Sequence, residues 1–139
     1  MPQLLAVDIV PGPLTDISFT TSRAVFDACD TAVLELMDAA GSGSELVVRI
    51  ERGLVTDVSV WDAELRMRRR LPTEAVAMNG PCVTCSVPAA MLPHPEGGLA
   101  AMTAALLVNG SPVQAGFAVS VAPPPRTGES VPSVPVPQV

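Results

Sequence analysis

The chain has 139 residues and a net charge of −6, with eight arginines, no lysine and fourteen acidic residues, a balance that disfavours free nucleic acid as a partner. Hydrophobic residues make up 48% of the chain but aromatic residues only 3%, so we expect one core built mainly from aliphatic side chains. There is no run of about 18 apolar residues and no basic stretch followed by an apolar one at the start, which predicts a cytoplasmic or virion protein without a membrane span or signal peptide.

The first predicted elements are two short strands, at residues 3–10 and 14–20. Pro11-Gly12-Pro13 separates them. Proline cannot donate to a β-ladder, so this tripeptide ends the first strand and begins the second.

The next segment, residues 22–40, predicts a long helix. Its apolar residues recur at steps of three and four: Val25, Ala28, Cys29, Ala32, Leu36 and Ala40. Thr20, Thr21 or Ser22 would cap its start, and Gly41 would end it. The opposite side of this helix would be acidic, with Asp27, Asp30, Glu35 and Asp38.

The rest of the chain predicts mainly strands. Leu46, Val48 and Ile50 alternate with other residues, and residues 54–60 repeat the pattern after Arg52-Gly53, which indicates a hairpin. Residues 63–71 fit a strand or a helix, and we favour a strand. A short helical turn is expected within 73–79, a strand at 82–87 and a proline-rich loop at 88–98. Asn109-Gly110 predicts a second hairpin joining 101–108 to 113–121, although 100–107 also fits a helix.

These elements together predict an α+β fold, in which a small, mainly antiparallel sheet packs against one long helix. Residues 1–121 would form a single domain of this class. Residues 122–139 contain six prolines and would form an extended, Pro-rich C-terminal arm.

The motif Cys82-Val83-Thr84-Cys85 has the spacing with which two thiolates share a zinc ion or form a redox pair. Zinc needs further ligands, and only Cys29 and His94 remain to supply them. Positions 82 and 85 of a strand point to opposite faces, so a structural role is favoured over metal or thiol chemistry. We interpret His94, which stands between prolines, as a surface loop residue. The sequence therefore predicts a protein that is not an enzyme and that binds no cofactor and no metal.

Four arginines lie within five residues: Arg66, Arg68, Arg69 and Arg70. On a strand, Arg66, Arg68 and Arg70 would share one face at intervals of about 7 Å, a spacing suited to a row of carboxylates or phosphates. One interpretation is a charged edge that discourages aggregation. The other is a contact with a partner, and we favour the acidic helix face of a neighbouring copy over a nucleic-acid backbone.

The C-terminal arm is the second candidate for contact with a partner. Its valines alternate with prolines, and the candidate contact residues are Val131, Val134, Val136 and Val139. An apolar segment that is already extended loses little entropy on docking, so it suits a groove or sheet edge of another protein. The alternative interpretation is a disordered tail.

The sequence thus predicts a non-enzymatic structural or assembly protein that self-associates or docks on a larger assembly. A phage virion protein, such as a capsid decoration, cement or connector protein, fits the small size and the absence of catalytic motifs. The partner would be protein, either copies of the same chain or other subunits. A small cytosolic module that binds a ligand or peptide is the alternative, and a thiol or metal protein using Cys82 and Cys85 is less favoured.

Overall fold

The computed structural model describes residues 3–22, 31–38, 44–62, 65–91 and 101–122. In these ranges the chain is almost entirely β-strand, and the helical segments among them are two 3-10 turns, Thr73–Ala75 and Ala89–Met91. The strands are β1 Leu4–Val10, β2 Leu14–Thr21, β3 Thr31–Asp38, β4 Ser44–Glu51, β5 Leu54–Asp62, β6 Met67–Arg70, β7 Val76–Asn79, β8 Cys82–Pro88, β9 Met102–Val108, β10 Ser111–Ala118 and β11 Ser120–Val121. None of the helical segments in this part of the chain is long and apolar enough to cross a membrane.

The strands form two sheets that pack face to face as a β-sandwich. The five-stranded sheet has the order β11-β1-β2-β8-β7, and the six-stranded sheet has the order β10-β9-β3-β4-β5-β6. Neighbouring strands pair antiparallel, except that β1 and β11 are parallel. Parallel pairing brings the last described strand back to the first strand of the chain.

The core lies between the sheets because alternate residues of each strand point inward. The five-stranded sheet contributes Leu4, Val7, Ile9, Ile17, Phe19, Val76, Val83, Cys85 and Val87. The six-stranded sheet contributes Ala32, Leu34, Leu36, Leu46, Val48, Ile50, Val58, Met102, Ala104, Leu106 and Val108. Phe19 is the single aromatic side chain among these residues, so the core is aliphatic, as the composition predicts.

The predicted α+β class is wrong, because the part of the predicted helix that the structure describes is strand β3. Ala32 and Leu36 are buried, as the helical pattern requires, but Leu34 between them is also fully buried. A step of four residues returns to the same side of both a helix and a strand, so these two residues fit either structure. The predicted helix residues 23–30 and 39–40 lie outside the described ranges, as does Gly41.

The residues expected to cap the helix close the ladder between β1 and β2 instead. Thr20 and Thr21 belong to β2. Ser22 donates its backbone N–H to the Gln3 carbonyl at 2.8 Å, and the Gln3 backbone N–H donates to Ser22 Oγ at 3.0 Å. These hydroxyl residues therefore extend the ladder between β1 and β2.

Both predicted hairpins are confirmed, and their turns explain why. Arg52 and Gly53 have φ values of 53° and 84°, and Asn109 and Gly110 have φ values of 51° and 85°. Two successive positive φ values form the turn that matches the twist of a two-residue hairpin. The second hairpin makes 102–108 a strand, and the strand favoured within 63–71 is confirmed as β6.

The two lateral sides of the sandwich differ. On one side the Leu4 backbone N–H donates to Gln114 Oε1, and Gln114 Nε2 donates to the Leu4 carbonyl at 3.4 Å, so β10 is tied to β1 across the sheets. On the other side the chain leaves β6 through Thr73–Ala75 and enters β7 of the opposite sheet. Of the described strands of the six-stranded sheet, β6 is the outermost on this side.

Candidate functional site

The hairpin formed by β5 and β6 gathers exposed apolar and cationic side chains at one edge of the sandwich. Trp61 is 37% exposed, Leu65 57% and Met67 51%, and all four residues of β6 are exposed. We call the following set the β6 patch: Trp61, Leu65, Arg66, Met67, Arg68, Arg69 and Arg70. Tryptophan, methionine and arginine are the residue types enriched where proteins bind one another.

The register of the hairpin determines which of these side chains share a face. Arg68 pairs with Trp61, and Arg70 pairs with Ser59, so the two arginines and the tryptophan lie on the outer face of the sheet. Arg66 is not in the strand; it lies in the preceding turn with a φ of 55°. Of the three arginines predicted to form one row, the structure therefore places Arg68 and Arg70 side by side on a strand.

Contacts with β5 hold both of these arginines across the outer face. Arg68 Nη1 donates to Ser59 Oγ at 3.0 Å, and Arg70 Nε lies 3.2 Å from Asp57 Oδ1. The Arg70 side chain is 83% exposed, so this ion pair orients the guanidinium but adds little stability. Residues 61–70 contain four arginines and two carboxylates, which gives this segment a net charge of +2 in a chain of net charge −6.

The outer side of β6 is the edge of the six-stranded sheet, since β6 stands last in the strand order. Leu71 donates its backbone N–H to the Val58 carbonyl at 2.8 Å. Because successive residues of an antiparallel strand turn their backbone groups in alternate directions, Arg69 faces β5 and Arg70 faces outward. This edge has the geometry to which a further strand is added in peptide-binding proteins.

A second candidate is an open depression of about 360 Å³ on the outer face of the six-stranded sheet. Arg49 lies within it and has its Nε 3.6 Å from Glu51 Oε2. The lining residues are Thr31, Val33, Glu35, Val47, Arg49, Asp57, Leu107 and Gly110. The volume falls at the lower end of the range for small-molecule sites.

The two thiols of the Cys82–Cys85 motif lie on opposite sides of β8. Cys85 is fully buried in the core and Cys82 is partly exposed, and Cys82 Sγ lies 3.7 Å from Thr84 Oγ1. In the described part of the chain there is no group of three or more residues that would hold a metal ion. Strand geometry thus keeps the two sulfurs from facing one ion. Cys29 and His94 lie outside the described ranges.

We expect the Cys85 thiol to be chemically inert in the folded protein. Burial raises the pKa of this thiol from 9.0 to about 12, and the negative charge of Asp16 adds to the rise. The thiolate is the reactive form, and at pH 8 only a small fraction of Cys85 carries it. Alkylation with iodoacetamide, followed by peptide mass spectrometry, should label the partly exposed Cys82 at least about tenfold faster than Cys85. Unfolding in guanidinium should remove the difference, and equal rates in the folded protein would contradict this assignment.

Of the other predicted contact residues, the structure describes Asp38 alone. Asp38 is the last residue of β3, opposite Met102 on β9. Asp27 and Asp30 lie outside the described ranges, as do Val131, Val134, Val136 and Val139 of the arm. Residues 31–38 form a strand, so Glu35 and Asp38 do not lie on a helix. The predicted contact between the arginines and an acidic helix face is therefore not proposed again.

The sequence did not predict the apolar half of the β6 patch. Trp61, Leu65 and Met67 are not among the predicted contact residues. The available signal was the position of the only tryptophan of the chain, a few residues before the arginine cluster. Asp57 and Ser59 were not predictable as partners of Arg70 and Arg68, because that pairing depends on the register across the hairpin.

No protein-family model matches the chain, and neither a characterised protein nor a solved structure matches it.

Proposed function

We propose that this protein is a non-enzymatic assembly protein that binds another protein through the β6 patch. The observation that carries the proposal is the joint exposure of Trp61, Leu65 and Met67 next to four arginines at a sheet edge. Desolvated aromatic and arginine side chains supply most of the binding energy in protein interfaces. The patch combines such anchors with charges that select the partner.

A purely protective edge would have a different composition. Charged residues on an edge strand prevent aggregation by keeping the edge hydrated. Large apolar side chains beside the same strand favour association instead. Of the seven exposed large hydrophobic residues in the described ranges, Trp61, Leu65 and Met67 lie at the β6 end of this hairpin and Leu54 lies at its other end, so the composition of the β6 patch favours docking.

The five-stranded sheet also exposes Leu5, Val10 and Leu14, but its outer face differs from the β6 patch in charge. Its polar side chains bind one another: Ser86 Oγ donates to Asp16 Oδ1 at 2.6 Å, and the hydroxyls of Ser18 and Thr84 lie 3.0 Å apart. All arginines in the described ranges lie on the six-stranded sheet or its turns. The cationic docking surface therefore belongs to one sheet and one edge.

The finer form of the proposal is a virion component, such as a capsid decoration, cement or connector protein. A small sandwich with an exposed edge and a valine-proline arm suits a subunit that is held by its neighbours. In such an assembly the arm would contact a second subunit.

The test compares the full chain with variants of the β6 patch in the cell from which the protein comes. Tagged wild-type protein is expected to sediment with an assembly heavier than the 14.3 kDa chain. Combining Arg66→Asn, Arg68→Gln and Arg70→Gln removes three charges and should shift most of the protein to the monomer position, because contacts of this kind cost about 2 kcal/mol or more each at an interface centre. Velocity sedimentation followed by immunoblotting measures the distribution.

Two substitutions at the opposite end of β5 serve as matched controls. Arg52→Asn removes one charge from the turn before β5, where Arg52 has a positive φ that asparagine accepts. Leu54→Ser removes a side chain that is 69% exposed and is compared with Met67→Ser. The controls should sediment like wild type. Wild-type protein that sediments as a monomer, or patch variants that sediment with the assembly, would refute the proposal.

The depression on the six-stranded sheet supports a second candidate function, a module that binds a small ligand. Its mixture of apolar walls and charged groups at Arg49 and Asp57 is typical of ligand sites. Val47→Trp would fill the depression. Ligand binding becomes the preferred function if the chain is monomeric and if this substitution abolishes a cellular activity that the β6 variants retain.

A further inference from the structure

We infer that the outer edge of β6 binds an extended acidic segment of a partner protein as an added strand. Carboxylates at alternate positions of that segment would lie opposite Arg68 and Arg70. The inference rests on the proposed function and specifies the chemistry of the partner at the same surface.

Spacing and charge define the partner. Arg68 and Arg70 are two residues apart on one face of β6, which places their side chains about 7 Å apart along the strand. A strand added to this edge has the same repeat, so every second residue faces an arginine. Carboxylates at those positions form charge-assisted hydrogen bonds with guanidinium groups, which are stronger than neutral ones.

The existing contacts of Arg70 leave room for such a partner. The ion pair with Asp57 uses Nε of Arg70, whereas a guanidinium has five N–H donors. Arg70 can therefore hold Asp57 and a carboxylate of the partner together. Asp57 and Ser59 then orient the two arginines before the partner arrives, which lowers the entropy lost on binding.

The edge position favours strand addition over contact by side chains alone. Arg70 turns its backbone groups away from β5, as the alternation from the Leu71–Val58 hydrogen bond requires. Met67 lies on the face opposite to Arg68, where apolar side chains of the added strand would contact it. Trp61 lies on the Arg68 face, one strand further from the edge.

Other occupants of the edge fit less well. A second β6 would place arginines opposite arginines, which is destabilising. The C-terminal arm contains six prolines, which cannot donate to a ladder. A nucleic-acid strand would meet a chain of net charge −6 and would be repelled overall.

The experiment titrates the full chain with synthetic peptides and follows the fluorescence of Trp61, the only tryptophan. The probe is a peptide of about nine residues, a typical strand length, in which glutamate alternates with valine. One comparison peptide has lysine in place of glutamate. Another keeps every side chain but carries N-methyl groups on three consecutive central backbone nitrogens, which removes ladder donors on both edges of the peptide without changing its charge.

The acidic peptide is expected to bind at least about tenfold more tightly than either comparison peptide, which corresponds to about 1.4 kcal/mol. In the full chain, Arg68→Gln with Arg70→Gln should raise its Kd by about tenfold or more, and Arg52→Asn should change it by less than about twofold. Protection of the Arg70 backbone amide from hydrogen exchange on addition of the peptide would support strand addition directly. If the double variant is unfolded, the comparison of peptides on the wild-type chain decides.

Three outcomes would overturn the inference. Equal binding of the N-methylated peptide would show charge attraction without strand addition. Tighter binding of a single-stranded oligonucleotide would assign the edge to nucleic acid. No binding of the acidic peptide, together with sedimentation that depends on the β6 patch, would reject the acidic strand and leave the assembly function standing. Peptide binding by a chain that sediments as a monomer would instead reject the assembly function alone.

Discussion

Replacing Phe19 by alanine is expected to lower the free energy of unfolding by about 3–5 kcal/mol. Phe19 is fully buried and is the largest of the completely buried side chains. The fully buried core residues that pack with it have mostly aliphatic side chains, and these would have to move to fill the cavity. The free energy of unfolding of a domain of this size is about 5–15 kcal/mol, so this substitution should remove a large part of it. Urea denaturation followed by circular dichroism measures the loss.

Phe117→Ala is the matched control for the Phe19 substitution. Phe117 lies on edge strand β10 and is only partly buried against the core. Because water already reaches part of its ring, truncation leaves less of a cavity, and we expect less than half of the loss seen at Phe19. Equal losses at the two positions would mean that the sheets are not packed around Phe19 as the structure describes.

The hairpins were predictable because their signal is local. Arg52-Gly53 and Asn109-Gly110 each contain a residue that accepts positive φ without strain, and alternating apolar residues stand on both sides. Pro11-Gly12-Pro13 separates β1 from β2 for a similarly local reason. The pairing of strands from distant parts of the chain, such as β3 with β9, leaves no comparable mark in a single sequence.

The docking surface was predictable in part. The arginine cluster is visible in the sequence, and its alternation with Leu65 and Met67 indicates a strand. Which side chains accompany the arginines depends on the register between β5 and β6, which brings Trp61 opposite Arg68. The open edge depends in turn on β6 being the last of the described strands of its sheet, a property of the whole fold.

The error at β3 has a specific physical origin. This strand lies between β4 and β9 in the interior of the six-stranded sheet, so its outward residues are partly covered as well. Val33 and Met37 are partly buried on the outer face, while Ala32, Leu34 and Leu36 face the core. Apolar residues on both faces weaken the period of two, and the remaining step of four then resembles a helix.

Leu34 distinguishes the two structures, and Leu34→Ala is expected to destabilise the protein by about 2–5 kcal/mol. In the strand, Leu34 points into the core and is fully buried. In a helix of 3.6 residues per turn it would lie about 200° from Ala32 and therefore away from the apolar stripe. Leu54→Ala, at a side chain that is 69% exposed, is the matched control and should cost less than about 0.5 kcal/mol. Urea denaturation measures the free energy of unfolding of both variants. If Leu34→Ala lowers it no more than Leu54→Ala does, residues 31–38 would be better described as a helix.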